Sequence, residues 1–172
     1  VAWGLLKQEK QKAIRNDWNE HGPWGLHLHC PEAAVPKDGP SAGGAITLAI
    51  LSQLTQTMIR HDIGMTGEVN LNGQITAIGG LQAKLFGAKR AGVRTVMIPK
   101  ENEQDLIALR NDNKTPEDDD FKVITISRVE DAVRHAMLDF SDINLPENGV
   151  EFPIHTNGDI LDSSIEIVKD DP

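Results

Sequence analysis

Hydrophobic and polar positions change rhythm several times along this chain, and each change predicts an element. Residues 1–14 read as an opening helix with Leu5, Leu6 and Ala13 on its apolar side. Gly22-Pro23 breaks it, and Leu26-His27-Leu28-His29-Cys30 then alternates with the period of a strand. Residues 31–40 hold three prolines and a glycine and predict a loop. Residues 42–58 predict a helix with Ile46, Ile50, Leu54 and Met58 in one stripe, which Leu48 and Leu51 widen enough to imply deep burial.

A hairpin follows. Val69 and Leu71 alternate on one arm, Ile75 and Ala77 on the other, and Asn72-Gly73 between them is a strong turn signal. Gly79-Gly80 leads into a helix over 81–91, closed by Gly92 where helices favour a left-handed residue. Residues 93–98 predict a strand ended by Pro99, 102–110 a helix, 111–120 an acidic loop and 121–126 another strand. Ser127-Arg128-Val129-Glu130 reads as a capping box opening a helix to about Phe140. Strands alternate with helices, so the expected class is α/β (α+β): one compact domain of mixed sheets with flanking helices. The expected boundary lies at Phe140. Residues 141–172, with eight acidic residues against one lysine, read as an acidic C-terminal extension.

Composition narrows the picture. The 172 residues suit a single domain with a real core. Aromatics make up 4% and tyrosine is absent, so that core must be aliphatic. A formal charge of −9 argues against nucleic-acid contacts or an anionic membrane surface, both of which need clustered cations. No apolar run approaches the roughly 20 residues of a membrane span. Cys30 is the single cysteine, which favours a reducing compartment: the cytoplasm is expected, and a mitochondrial matrix fits equally well. The chain opens at Val1 inside a predicted helix, which predicts a piece of something longer.

Three residues draw attention chemically. Ser41, in Asp38-Gly39-Pro40-Ser41-Ala42-Gly43, stands where a loop meets a helix start. It either caps that helix or presents a nucleophile beside main-chain N–H groups able to hold an oxyanion. Lys84 shares a helix face with Leu81, Leu85 and Ala88, whereas Lys89 and Arg90 fall off that face towards water. Such a lysine either snorkels to the surface or stays in apolar surroundings, where charge is disfavoured and a neutral amine takes a serine's proton. Thr66 is either a turn threonine or a partner for the lysine amine.

The run Pro36-Lys37-Asp38-Gly39-Pro40-Ser41-Ala42-Gly43 resembles the active-site serine signature of Lon proteases. Met65-Thr66-Gly67-Glu68 is similar to the family's next block, and Gly79-Gly80-Leu81-Gln82-Ala83-Lys84-Leu85 to the block that carries its lysine. Leu28-His29-Cys30-Pro31-Glu32 and Val96-Met97-Ile98-Pro99 agree as well, so the resemblance runs over about 26–140. It implies a serine endopeptidase with a Ser-Lys dyad, Ser41 attacking and Lys84 acting as base. Thr66 would position Lys84, with Asp38, Gly39, His27 and His29 in support. The two histidines, at i and i+2, are read as structural rather than as a metal pair, and no metal or cofactor is expected in this chain.

The resemblance further implies unfolded or damaged protein substrates and a homo-oligomeric ring, expected to be a hexamer. It also implies family strands ahead of residue 1 and an upstream ATPase module using ATP and Mg. The chain itself carries no G-x-x-x-x-G-K-[ST] phosphate loop. Residues 113–120 and the acidic extension depart from the family pattern. Two alternatives stay open: a catalytically silent Lon-like assembly module, and an esterase using Gly39-Pro40-Ser41-Ala42-Gly43 as a G-x-S-x-G elbow with His135 or His155.

Overall fold

Val96 and Ile98 of the strand Thr95–Pro99 pack into one apolar cluster while Met97 between them packs into another. Successive side chains of a strand face opposite ways, so a strand buried on both faces needs a covering layer on each. The computed structural model describes residues 1–29 and 39–145 and supplies both layers. In chain order the elements are α1 (Ala2–Leu5), α2 (Gln8–His21), α3 (Gly43–Thr55), β1 (Ile63–Met65), β2 (Glu68–Val69), β3 (Ile75–Thr76), α4 (Leu81–Arg90), β4 (Thr95–Pro99), a 3-10 turn (Lys100–Asn102), α5 (Glu103–Asn111), β5 (Lys122–Ile126) and α6 (Val129–Ala136). Strands β1, β4 and β5 form a parallel sheet in the order β1-β4-β5, and β2 pairs antiparallel with β3. Leu5, Leu48, Leu51, Val129 and Val133 cover one face of the sheet, and Leu81, Leu85, Leu106 and Phe121 cover the other. The architecture is a mixed α/β domain, as the alternation of elements predicts.

Several expectations need correction. The opening helix is two helices, because the chain turns at Leu6 and Lys7 to meet a distant segment. Leu6 bridges to Ile143, Lys7 N–H donates to the Asp142 carbonyl at 2.9 Å, and Asn144 N–H donates to the Leu5 carbonyl at 2.7 Å. Residues 141–145 thus lie against α1, with Ile143 buried in the main core. Ala13 is exposed and Ile14 takes the buried place. Around this corner Trp3 stacks on Trp18, with ring centroids 5.7 Å apart, and Trp24 meets Trp18 edge-on at 5.6 Å.

Residues 26–29 form no strand, and Leu26 and Leu28 are exposed; Cys30, the loop 31–38 and the extension beyond 145 lie outside the described residues. Helix α3 stops at Thr55, where Gln56 takes a left-handed conformation (φ 57°), and Met58 beyond it is 72% exposed. Its buried face is Gly44, Thr47, Leu48, Leu51, Leu54 and Thr55 rather than the stripe centred on Ile46 and Ile50. The threonines are tolerated there because each hydroxyl donates to the carbonyl one turn back, Thr47 to Gly43 and Thr55 to Leu51, both at 2.8 Å.

The hairpin exists, but Leu71 is 95% exposed and Ala77 is exposed too. Asn70 N–H donates to the Gln74 carbonyl and Gly73 N–H to the Asn70 carbonyl. With Gly73 left-handed (φ 74°), this is a three-residue connection rather than a two-residue Asn-Gly turn. Lys89 does not point to open water: its ammonium donates to the Pro116 carbonyl at 2.7 Å and pairs with Asp118. Together with the Arg110–Glu117 pair, this fastens the acidic loop to α4 and α5. At α6 the capping carboxylate belongs to Asp131, which accepts from Ser127 N–H and Arg128 N–H at 3.0 Å each. Glu130 is buried beside Arg128, and the helix ends at Ala136.

Candidate active site

Ser41 lies two residues ahead of α3, in a turn closed by Gly43 N–H donating to the Pro40 carbonyl at 2.9 Å. The helix N-cap is Ala42, with no side-chain cap, so the Ser41 hydroxyl is not spent on capping. Lys84 sits on the first turn of α4, between buried Leu81 and Leu85. Its Nζ lies 3.0 Å from Ser41 Oγ, at hydrogen-bond distance. Both side chains are half-buried on the wall of a cleft of ≈ 330 Å³. Ala42, Ala45, Gly64, Met65, Thr66, Gly87, Ala88 and Val96 complete the lining, so the cleft runs along β1 and past its carboxyl end. Ligands of parallel α/β sheets characteristically bind at that end of the strands.

Main-chain contacts set the serine's position. Gly67 N–H donates to the Ser41 carbonyl at 2.9 Å, and Gly44 N–H donates to the Gly67 carbonyl at 3.1 Å. This reciprocal stitch requires glycine at 67. A Cβ there would lie 2.4 Å from Ile75 Cγ2, a clash that β3 would have to relieve. At Gly44 a Cβ would stand 2.2 Å from Met65 Cε, the flexible end of a side chain that would have to swing aside.

Thr66 is buried at the cleft, but not as a partner for Lys84. Its hydroxyl donates to the Ser41 carbonyl, at a long 3.4 Å, while its N–H donates to the Met97 carbonyl at 3.0 Å. His27 and His29 are exposed, their rings roughly parallel with centroids 6.3 Å apart, and neither lines the cleft. Gly39 is exposed with φ 93°, and Asp38 lies outside the described residues. His135 is exposed on α6, away from the cleft lining, and His155 lies outside the described residues. Among the described residues, no group of three or more His, Cys, Asp or Glu is placed to hold a metal ion.

One residue with no sequence signal of its own aims the lysine helix. Asn102, at the start of α5, is 2% exposed and gives up helix capping to clamp Ile78. Its Oδ1 accepts from Ile78 N–H at 2.9 Å and its Nδ2 donates to the Ile78 carbonyl at 3.0 Å. Ile78 immediately precedes Gly79-Gly80 and the start of α4. An asparagine ahead of a helix invites a capping assignment, which conceals such a use.

The Lon protease of Campylobacter concisus is 45% identical over 116 residues, which cover 67% of this chain and 14% of that protein. The Lon protease of Azospirillum brasilense is 44% identical over 113 residues, covering 66% of this chain, and Lon protease 1 of Myxococcus xanthus 43% over 117 residues. The match spans 14% of the length of each of these relatives. The family model described as the Lon protease (S16) C-terminal proteolytic domain matches residues 1–139, which takes in every element from α1 to α6. With a family match over most of its length, the chain belongs to the Lon protease C-terminal proteolytic domain family.

Proposed function

We propose that Ser41 and Lys84 form a catalytic dyad that hydrolyses peptide bonds. The observation that carries this reading is the 3.0 Å contact between Lys84 Nζ and Ser41 Oγ on the wall of the cleft. Serine hydroxyls are weak nucleophiles until an adjacent base accepts their proton, and a neutral lysine amine at hydrogen-bond distance meets that requirement. Ser41 Oγ attacks the scissile carbonyl as Lys84 takes the proton. Lys84 then delivers it to the leaving amine, and the acyl-enzyme is hydrolysed by water that Lys84 deprotonates. The N–H groups of Gly43 and Gly44 are already engaged by Pro40 and Gly67, so we assign the oxyanion to the main chain at Ser41 and Ala42.

The substrates in this proposal are unfolded or damaged proteins. They are fed in by an ATPase module in the full-length protein, within a homo-oligomeric ring in a reducing compartment. This chain's own residues offer no phosphate loop for ATP, and no step of the chemistry above passes through a nucleotide.

The test is acylation of Ser41 by a peptide-based serine reagent, followed by intact mass. Labelling of the unaltered chain that is lost in Lys84→Ala and in Ser41→Ala supports the dyad. Labelling of Ser41 that persists in Lys84→Ala removes lysine from the mechanism. An unaltered chain that takes no label would favour an assembly module.

A further inference from the structure

Gly87 is a glycine inside a helix, and no described residue packs closely enough to require one. It occupies the seventh of ten positions in α4, one turn beyond Lys84. Glycine is disfavoured there relative to alanine, because the chain gives up more backbone freedom and gains no side-chain contact. Helical glycines are commonly explained by a neighbour too close for a Cβ, as at Gly44 against Met65. Among the described residues a Cβ at Gly87 would meet no heavy atom within 4 Å, and the Gly87 φ is not positive. The empty space is instead part of the cleft, whose wall Gly87 forms beside Lys84 and Ala88.

We infer that Gly87 sets the size of the substrate side chain accepted next to the Ser41–Lys84 pair. This rests on the proposed role of that pair, and it concerns the residue on the acyl side of the scissile bond. The lining also includes Ala42 and Ala45 at the start of α3 and Gly64 and Met65 of β1. Among the described residues of the lining Lys84 is the one that carries a charge, and its amine is committed to Ser41. The cleft therefore suits an uncharged apolar side chain. Carbon atoms added at position 87 subtract directly from the space that side chain fills, and one methylene in an apolar pocket changes discrimination by about 10- to 200-fold.

The test separates binding from reactivity. Capped peptides carrying Ala, Val, Leu or Phe at the acyl position are titrated by NMR into Ser41→Ala, alone and combined with Gly87→Ala or Gly87→Val. Ala83→Val, exposed on α4 outside the cleft, is the control for altered helix propensity. The expected result is a Phe-to-Ala affinity ratio that falls about tenfold or more with Gly87→Val, less with Gly87→Ala, and is unchanged with Ala83→Val. Melting temperatures of the variants establish that each is folded. A ratio that stays within about twofold across the folded Gly87 variants overturns the inference, as does an equal loss with Ala83→Val. If the ratio shifts as expected while Ser41 of the unaltered chain takes no acyl label, the dyad fails and Gly87 stands as the size filter of a binding cleft.

Discussion

Asn102 holds Ile78 by both of its main-chain polar groups, with hydrogen bonds of 2.9 and 3.0 Å from a side chain that is almost wholly buried. An asparagine amide presents one acceptor and two donors in the spacing of a peptide group, so it substitutes for a neighbouring strand where none runs. A second donor contact, to Asp105 at 2.8 Å, fixes the amide's orientation. The clamp sits three residues before α4 and therefore sets where Lys84 begins its reach to Ser41.

Asn102→Ala should cost about 2–3 kcal/mol, since it strands two main-chain groups in a protected place. It should also slow acylation of Ser41 more than an equally destabilising change remote from α4, such as Leu54→Ala. Thermal melts and labelling rates of the two variants make the comparison. Equal labelling rates would mean that Asn102 serves stability alone.

Gly67→Ala should destabilise the domain by about 1–3 kcal/mol, through overpacking against Ile75. Removing the obstructing methyl should relieve it. In an Ile75→Ala background the cost of Gly67→Ala should shrink by about 1 kcal/mol or more, a coupling that a double-mutant cycle in urea would read. Additive costs would place the strain elsewhere.

Thr66→Val should lower the acylation rate several-fold and leave the midpoint of its pH profile in place. The hydroxyl bonds to the carbonyl of Ser41, so its loss loosens the nucleophile rather than altering the base. A displaced midpoint would return Thr66 to the role expected from sequence, as a partner of Lys84.

Glu117 gives a prediction with a definite sign in pH. The paired hydrogen bonds from Arg110, at 2.7 and 2.8 Å, hold its carboxyl below the ordinary glutamate value of 4.5, against an opposing effect of burial. A carboxyl depressed in the folded state stabilises fully above its unfolded value, and loses that contribution as pH falls through the folded value. Glu117→Gln should therefore cost under about 1 kcal/mol near neutral pH, because Arg110 is half-exposed and water screens the pair. The difference from the unaltered chain should vanish at strongly acidic pH. Chemical denaturation at pH 7 and at successively lower pH would measure both.

Much of the fold and of the candidate site was legible in the sequence because the signals were local. Gly92 closes α4 with φ 81° as its position suggests, and the α4 face of Leu81, Lys84 and Leu85 does turn inward, bringing Lys84 to Ser41. What escaped was set by distant partners. Nothing between Val1 and Ile14 announces that Leu6 and Lys7 will leave the helix for Ile143 and Asp142. The buried face of α3 was misjudged because an apolar count ignores Thr47 and Thr55, whose hydroxyls are satisfied within the helix. Thr66 meets the Ser41 carbonyl rather than the lysine amine because a threonine's reach identifies candidates and not the acceptor it meets. Asn102 engages main chain and Gly87 borders empty space, neither of which leaves a mark in residue type.

The three tryptophans that meet at the corner of α1 and α2 are all the tryptophans of the chain, which has no tyrosine. Intrinsic fluorescence therefore reports on that corner alone, and it is silent about the Ser41–Lys84 cleft. An emission change during melting records Trp3 parting from Trp18. Loss of the parallel sheet has to be followed by circular dichroism, and agreement between the two signals would establish that corner and sheet unfold as one cooperative unit.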